Sequence, residues 1–272
     1  EKNRDIMCAP ALPYIMGIRF PDFPIGKVKN KGFDLSLSWN DHIGDFNYGL
    51  SFIYTRADNE IQEMGEEKKA YSYQQRTGKP LDSQWGLIAL GLFQSQEEID
   101  NSPKQTYSKI VSPGDIKYKD VNGDGVIDNY DDVYLGPNAD LNMQWGSKLD
   151  LSWKNFDFSV LFTGQNGGWN NITGESIWEF QNNGTVREHH LGRFNPDDPS
   201  SWANATYPRL SLSNVEGNHH SSSYWRKSMA QVRLKHIELG YSIPVAWSKG
   251  IVNNLRLYVN AYNILTWQST DL

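Results

Sequence analysis

The chain has little that could staple it together or thread it through a bilayer as helices. A single cysteine, Cys8, stands in 272 residues, which excludes an internal disulfide framework and a cysteine-based metal cluster. No apolar run approaches the roughly 20 residues that a membrane-spanning helix needs. Excess positive charge is missing too. Against 32 Asp and Glu there are 26 Lys and Arg, a net charge of −6, which argues against nucleic acid as a partner because that ligand wants a basic face. The first residues, EKNRDIMCAP, lack the basic start and apolar stretch of a signal peptide.

What is abundant is aromatic: 10 Trp and 14 Tyr, with aromatics at 13% of the chain. Trp and Tyr have one apolar and one wet end, so they collect at membrane interfaces and sugar-binding surfaces, although a large aromatic core needs them equally. The mean hydropathy of −0.62 does not exclude a membrane protein. A β-barrel alternates apolar and polar residues and carries polar loops, which keeps its average low.

Strict alternation over strand-length stretches is the strongest pattern. Phe33, Leu35, Leu37 and Trp39 alternate with Asp34, Ser36 and Ser38. After a turn at 41–45 the pattern resumes with Phe46, Tyr48, Leu50, Phe52 and Tyr54. A second pair runs through Trp145, Leu149, Leu151 and Trp153, turns at Lys154-Asn155, and returns through Phe156, Phe158, Val160 and Phe162. A third uses Val232, Leu234, Ile237, Leu239 and Tyr241, then Leu255, Leu257, Val259 and Ala261. Its phase slips by one around Lys235 and His236, which reads as a β-bulge. Period two puts the apolar residues of each strand on one face. Six antiparallel strands follow.

The connections carry more information than the strands. Turns at 41–45, 154–155 and 243–253 are short, whereas excursions 56–140 and 164–228 are long. Short and long connections alternate, as short periplasmic turns and long extracellular loops do in an outer-membrane barrel. Trp39, Trp153 and Trp267 sit at strand ends, where an aromatic girdle would lie. Asp34, Asn47, Ser51, Asp157, Arg256 and Asn260 would face a wet lumen. A soluble β-sandwich with one hydrated face gives the same alternation, but it has no reason to sort its loops by end. Six strands are too few to close a transporter-sized barrel, and open edges are not tolerated in lipid. The expectation is an all-β fold, part of a longer antiparallel transmembrane barrel wall with long extracellular loops.

Several segments together resemble the SusC/RagA-like family of TonB-dependent outer-membrane transporters. They are Asn30-Lys-Gly-Phe-Asp-Leu-Ser-Leu37, Arg76-Thr-Gly-Lys-Pro80, Gly91-Leu-Phe-Gln-Ser-Gln-Glu-Glu-Ile99 and Pro113-Gly-Asp-Ile-Lys-Tyr-Lys-Asp-Val-Asn-Gly-Asp-Gly125. Ser222-Ser-Tyr-Trp225, Val232-Arg-Leu-Lys-His-Ile-Glu-Leu-Gly-Tyr241 and Leu255-Arg-Leu-Tyr-Val-Asn-Ala-Tyr-Asn-Ile264 follow. Their order over nearly the whole chain resembles the C-terminal part of that barrel. The resemblance implies a 22-stranded barrel in the outer membrane of a Gram-negative bacterium, with residues 1–272 forming part of its barrel domain. It also implies a TonB complex contacted through an N-terminal region, a SusD-like surface lipoprotein as a lid, and import of oligosaccharides or peptides. The sequence departs from the family pattern at both ends: plug and TonB box are missing, and the chain stops at Asp271-Leu272 before the terminal strand.

The sharpest local motif is Asp120-Val-Asn-Gly-Asp-Gly-Val-Ile-Asp-Asn-Tyr-Asp131, a match to the D-x-[DN]-x-[DN]-G calcium loop. Ca²⁺ wants six to eight oxygens. Asp120, Asn122 and Asp124 would supply side-chain oxygens, Val126 its carbonyl, and Asp128 a direct or water-bridged contact. Asp131 stands where a bidentate Glu is usual, with Asp132 as a possible helper. The expected role is structural, stiffening the loop. An Asx-rich turn without metal is the plainer alternative.

Ser95-Gln-Glu-Glu98 reads as a capping box. Trp169, Trp178, Trp202 and Trp225, interleaved with Gln181, Asn182 and Asn183, are candidates for substrate contact, or else pack their own loop. Glu188-His189-His190 lacks zinc-helix spacing and reads as a solvated histidine pair. Asp197-Asp198 after Asn195-Pro196 reads as a turn. No nucleophile elbow, phosphate loop or convincing acid–base pair is present, so no enzyme activity is expected. Two rivals stay open: a soluble Ca²⁺-bearing β-sandwich that binds carbohydrate, and a glycoside hydrolase, which needs two carboxylates about 5–10 Å apart.

Overall fold

A computed structural model describes residues 2–8, 22–138, 142–212, 216–244 and 255–269. Its main element is one seven-stranded antiparallel sheet in chain order: β1 (Lys2–Cys8), β2 (Phe23–Ile43), β3 (Phe46–Glu63), β4 (Met143–Trp153), β5 (Phe156–Asn166), β6 (Gln231–Ile243) and β7 (Leu255–Gln268). The sheet is open, with β1 and β7 as its edges. Helix is confined to short turns such as Gln96–Asp100.

Six of these strands follow the alternation, and β1 is an addition. Strand β2 begins at Phe23 and β3 ends at Glu63, well beyond the apolar repeat. These extensions pair charged and polar residues, among them Lys29 with Glu60 and Lys31 with Asp58, so hydrophobic periodicity gives no sign of them. The excursions consequently start later than expected, after Glu63 and after Asn166. The turn expected at 41–45 tightens to Gly44-Asp45, with Gly44 at φ +62°, and Lys154-Asn155 turns with Lys154 at φ +54°. The bulge near Lys235 is present, as a register shift between Leu234 and His236. Most of the turn expected at 243–253 lies outside the described residues.

Directly opposed residues share a face in an antiparallel pair, so the register defines rows across the sheet. Near the two-residue turns runs Ile43–Phe46–Trp153–Phe156–Tyr241–Leu257. The middle row is Trp39–Leu50–Leu149–Val160–Ile237–Ala261, and at the excursion end comes Leu35–Tyr54–Trp145–Gly164–Val232–Trp267. No second layer covers this face among the described residues. Trp39 is 65% exposed and Val259 78%.

The buried core lies elsewhere. Apart from Val28 and Ile61, the buried hydrophobic residues belong to the excursions: Leu87, Phe93, Ile116, Tyr118 and Ile127 from the first, Phe194, Tyr207 and Trp225 from the second. The two excursions are laced into one body. Leu87 of the first excursion bonds two backbone groups of the second, its N donating to Ser221 O at 2.9 Å and its O accepting from Ser223 N at 2.9 Å. Tyr118 Oη donates to Gly217 O at 2.6 Å.

Candidate functional site

The uncovered apolar face is the feature that most needs an environment. From Trp145 to Trp153 the strand rises about 27 Å at roughly 3.4 Å per residue, or about 20 Å once tilted by roughly 40°. That is close to the apolar band of about 25 Å in membrane barrels, bounded by aromatic girdles. Trp153, Phe46 and Phe156 mark one rim, Tyr54, Trp145 and Trp267 the other. Gly164 lets the Trp145 indole lie flat against the sheet, where any Cβ would collide with the ring. A soluble sandwich would bury this face under a second sheet, and among the described residues none covers it.

The opposite face is mainly polar, with Ile53 and Leu161 as apolar interruptions. Asn47 donates to Ser152 Oγ at 3.1 Å, and Ser38 to Ser51 Oγ at 3.4 Å. Arg256 on β7 joins Glu238 on β6 at 2.7 Å and Asp157 on β5, tying three neighbouring strands. A cleft of about 670 Å³ near the turns includes Asp41, Asp150, Asp157 and Glu238 in its lining. A second, of about 400 Å³, lies at the excursion end and includes Gln144, Gln165, Gln231, Arg233 and Lys235. Sequence reasoning passed over these glutamines; their signal was an amide in the polar phase at the same end of successive strands.

The Asp120–Asp131 loop closes on its own amides. Asp120 accepts from Gly123 N at 2.6 Å and Gly125 N at 2.8 Å. Asn122 Oδ1 accepts from Asp124 N at 3.0 Å, and Asp124 Oδ1 from Val126 N at 2.8 Å. Asp128 accepts from Tyr130 N at 2.8 Å. Asp131 is fully buried and takes Val121 N and Asp128 N at 2.7 and 3.0 Å. Among the described residues no three His, Cys, Asp or Glu side chains group as a metal cluster. Each carboxylate oxygen retains a second lone pair, so the donor set is chemically suited to Ca²⁺ while the loop is already held by hydrogen bonds.

The four candidate tryptophans all lie in the second excursion, and Trp178 packs against the core cluster that contains Trp225. Trp169 lies under the Arg226 guanidinium at 4.5 Å, and Trp178 stacks on His219 at 4.5 Å and 9°. Trp202 stacks on Phe194 at 5.3 Å and donates to Asn195 O at 2.8 Å. Trp225 is 3% exposed and donates to Asn218 O at 2.6 Å. Each has at least one ring face occupied by the protein.

The histidine pair is not a freely solvated one, because His190 is buried and His189 is half-buried. His190 is buried, accepts from Arg187 N at its Nδ1 at 2.8 Å and packs edge-on to Tyr207. Burial, with His189 beside it, holds its pKa below the usual histidine value. The apolar pocket formed by the second excursion explains the correction, because spacing along the chain does not show what folds over it. Nearby Glu179 is buried, which pushes its carboxyl up, but hydrogen bonds from His219 and Tyr207 outweigh that and leave it below the usual range. The capping box is present in a variant form: Ser95 Oγ accepts from Glu98 N at 3.1 Å, while Glu98 accepts from Gln94 N rather than from Ser95. Asp198 caps a short turn by accepting from Ser200 N.

Apolar outer face, polar inner face and loops gathered at one end together define the wall of a membrane-type β-barrel. No protein-family model matches the chain. It is 28% identical over its whole length to TonB-dependent receptor P26 of Formosa agariphila, covering 28% of that protein, and 27% identical to TonB-dependent receptor P3, covering 27%. It thus spans just over a quarter of the curated relatives it matches. Among solved structures it superimposes on the RagAB peptide transporter with a TM-score of 0.68 and 18% identity, over 99% of this chain and 29% of that one. The RagAB peptide importer in its open-open state gives the same TM-score. The chain is thus similar in sequence to TonB-dependent receptors and in fold to the RagAB transporter.

Proposed function

We propose that this chain forms part of an outer-membrane barrel that imports oligosaccharides or peptides at the expense of TonB-coupled energy, in a Gram-negative bacterium. The observation that carries the reading is the continuous, uncovered apolar face opposite a charged and hydrated one. In water that face is a large aggregation-prone patch; in lipid it is the matched surface. Further strands would close the sheet, up to the 22 expected of the family. The packed excursions form the outer mouth, and a SusD-like lipoprotein is their proposed lid. The proposed role is transport, with no reaction assigned to any residue.

The test is uptake. Cells carrying the gene should accumulate labelled oligosaccharide or peptide, and should lose that uptake when the gene or TonB is deleted. Uptake indifferent to TonB would overturn the energy coupling. A chain that stays folded, clear and monomeric without detergent would overturn the barrel itself.

For the loop at 120–131 the proposal is a structural Ca²⁺ site, supported by the residue types and their offsets. Calorimetric titration of Ca²⁺ into metal-free protein should give saturable heat. Absence of binding below millimolar would leave the hydrogen-bonded turn as the whole account.

A further inference from the structure

The polar face of the sheet is divided by charge. One row at the excursion end reads Asp34–Thr55–Gln144–Gln165–Gln231–Gln268, so four adjacent strands each contribute a glutamine. The 400 Å³ cleft over this row contains Arg233 and Lys235 and no carboxylate. A neighbouring cleft of about 230 Å³ shares Gln165 and Gln231, adds Lys227, and again contains no carboxylate. In a chain with a net charge of −6, three cations in two adjoining clefts that no carboxylate lines among the described residues call for a counter-charge from outside.

Arg233 sharpens the point. Its Nη2 donates to Gln231 Oε1 at 3.2 Å, its Nε is buried without a hydrogen-bond partner, and no ion pair engages it among the described residues. A partly desolvated guanidinium of this kind gains most from an anion, which it can hold through two parallel hydrogen bonds.

We propose that the excursion end of the inner face is a binding site for an anionic oligosaccharide. Arg233 and Lys235 take its carboxylate or sulfate groups, and the glutamine row takes its hydroxyls. The proposal rests on the reading of this face as a transporter lumen. The spacing favours sugar over peptide. Neighbouring glutamines are one strand apart, about 4.8 Å, whereas an extended peptide laid along the row repeats same-side groups every two residues, about 6.7 Å. A sugar ring carries donors and acceptors around its rim and has no such phase to match. Asp34 bounds the row on one side, whereas in the cleft near the turns the charges are paired, Lys148 with Asp150 and Arg256 with Asp157 and Glu238, which leaves no free cation there among these residues for the same ligand.

The experiment titrates four probes into the detergent-solubilised protein: a galacturonate hexamer, a sulfated galactan hexamer, maltohexaose and hexaglutamate. One or both acidic sugars should bind, with affinity that falls as salt rises, and the two arms distinguish carboxylate from sulfate. Arg233→Gln combined with Lys235→Gln should weaken that binding about tenfold or more and leave the weaker binding of maltohexaose unchanged. Lys235→Gln alone, at the exposed bulge, gives the same readout should the double variant not fold. Maltohexaose binding as tightly as the acidic sugars, hexaglutamate binding more tightly than either, no acidic sugar binding at all, or variants without effect would each overturn the proposal. If the protein needs detergent to stay folded, these failures remove the ligand alone; if it is soluble without detergent, the lumen reading fails first.

Discussion

Both oxygens of Asp115 are committed. Asn218 Nδ2 donates to Oδ1 at 2.9 Å and Ser112 N to Oδ2 at 2.8 Å. Arg209 Nε lies 2.7 Å from Oδ1 but is angled away from a hydrogen bond, which Nη2 makes to Oδ2 at 3.2 Å. Asp115 belongs to the first excursion, Arg209 and Asn218 to the second, so a single buried carboxylate joins them. Asp115→Ala leaves a partly buried guanidinium unpaired and is expected to cost the excursions about 3–5 kcal/mol. Hydrogen exchange should speed up at Ile116 and its neighbours while β4 and β5 stay protected; uniform loss across the molecule would contradict this. The same body should be acid-sensitive. Burial lowers the pKa of His190 in the fold, so below the ordinary histidine value of 6.5 the unfolded chain binds a proton more readily than the folded one. Its stabilisation is complete above that value and is lost as pH falls towards the folded pKa. Glu179, also lowered, contributes above its unfolded value of 4.5 and loses that contribution as pH falls further. Thermal melts followed by excursion tryptophan fluorescence should therefore drop from pH 7.5 to 5, and His190→Asn should flatten the first part of that slope.

The strands differ in how much of themselves the sequence reveals. Where a strand crosses the apolar band, every second residue must be apolar, and the alternation from Phe33 to Tyr54 or Trp145 to Phe162 is visible at once. Where β2 and β3 continue beyond the band, both faces are wet. Lys29, Lys31, Asp58 and Glu60 then pair across the ladder without any hydrophobic period, and the extension is invisible. Strand β1 is hidden for a related reason, since its KNRDIMC mixes both classes. In the excursions only local features such as the Ser95 cap were legible, because their core depends on contacts between segments about 100 residues apart, such as Tyr118 with Gly217. Position in the band also sets the cost of a charge. Leu149 lies midway between the rims set by Trp145 and Trp153. In lipid, Leu149→Arg should destabilise by about 2–4 kcal/mol and Trp153→Arg, on charge grounds, by about 0–1. Urea unfolding in vesicles measures both. Equal costs at the two depths would show that this face does not sit in a bilayer.

For the molecule as a whole, the distribution of tryptophan separates the two environments. Trp39, Trp145, Trp153 and Trp267 stand on the outer face of the sheet, whereas Trp178, Trp202 and Trp225 lie in the excursions, stacked on His219, stacked on Phe194 and buried in the core. A bromine-labelled acyl chain quenches only indoles it can touch. The intact protein reconstituted in such lipid should lose the fluorescence contributed by the sheet group and keep that of the excursion group. Replacing the four sheet tryptophans by Phe should remove most of the quenching this segment contributes; replacing the excursion three should leave it in place. A water-soluble quencher should show the reverse order, with Trp225 protected from both by its burial. Quenching of Trp178 and Trp202 by brominated lipid would place the excursions in the bilayer and invert the orientation, because the apolar stripe and the packed core would then share one environment. The separation follows from one physical constraint. A sheet with an uncovered apolar face folds stably only where water is absent on that side, and a loop body with its own buried core needs no such help.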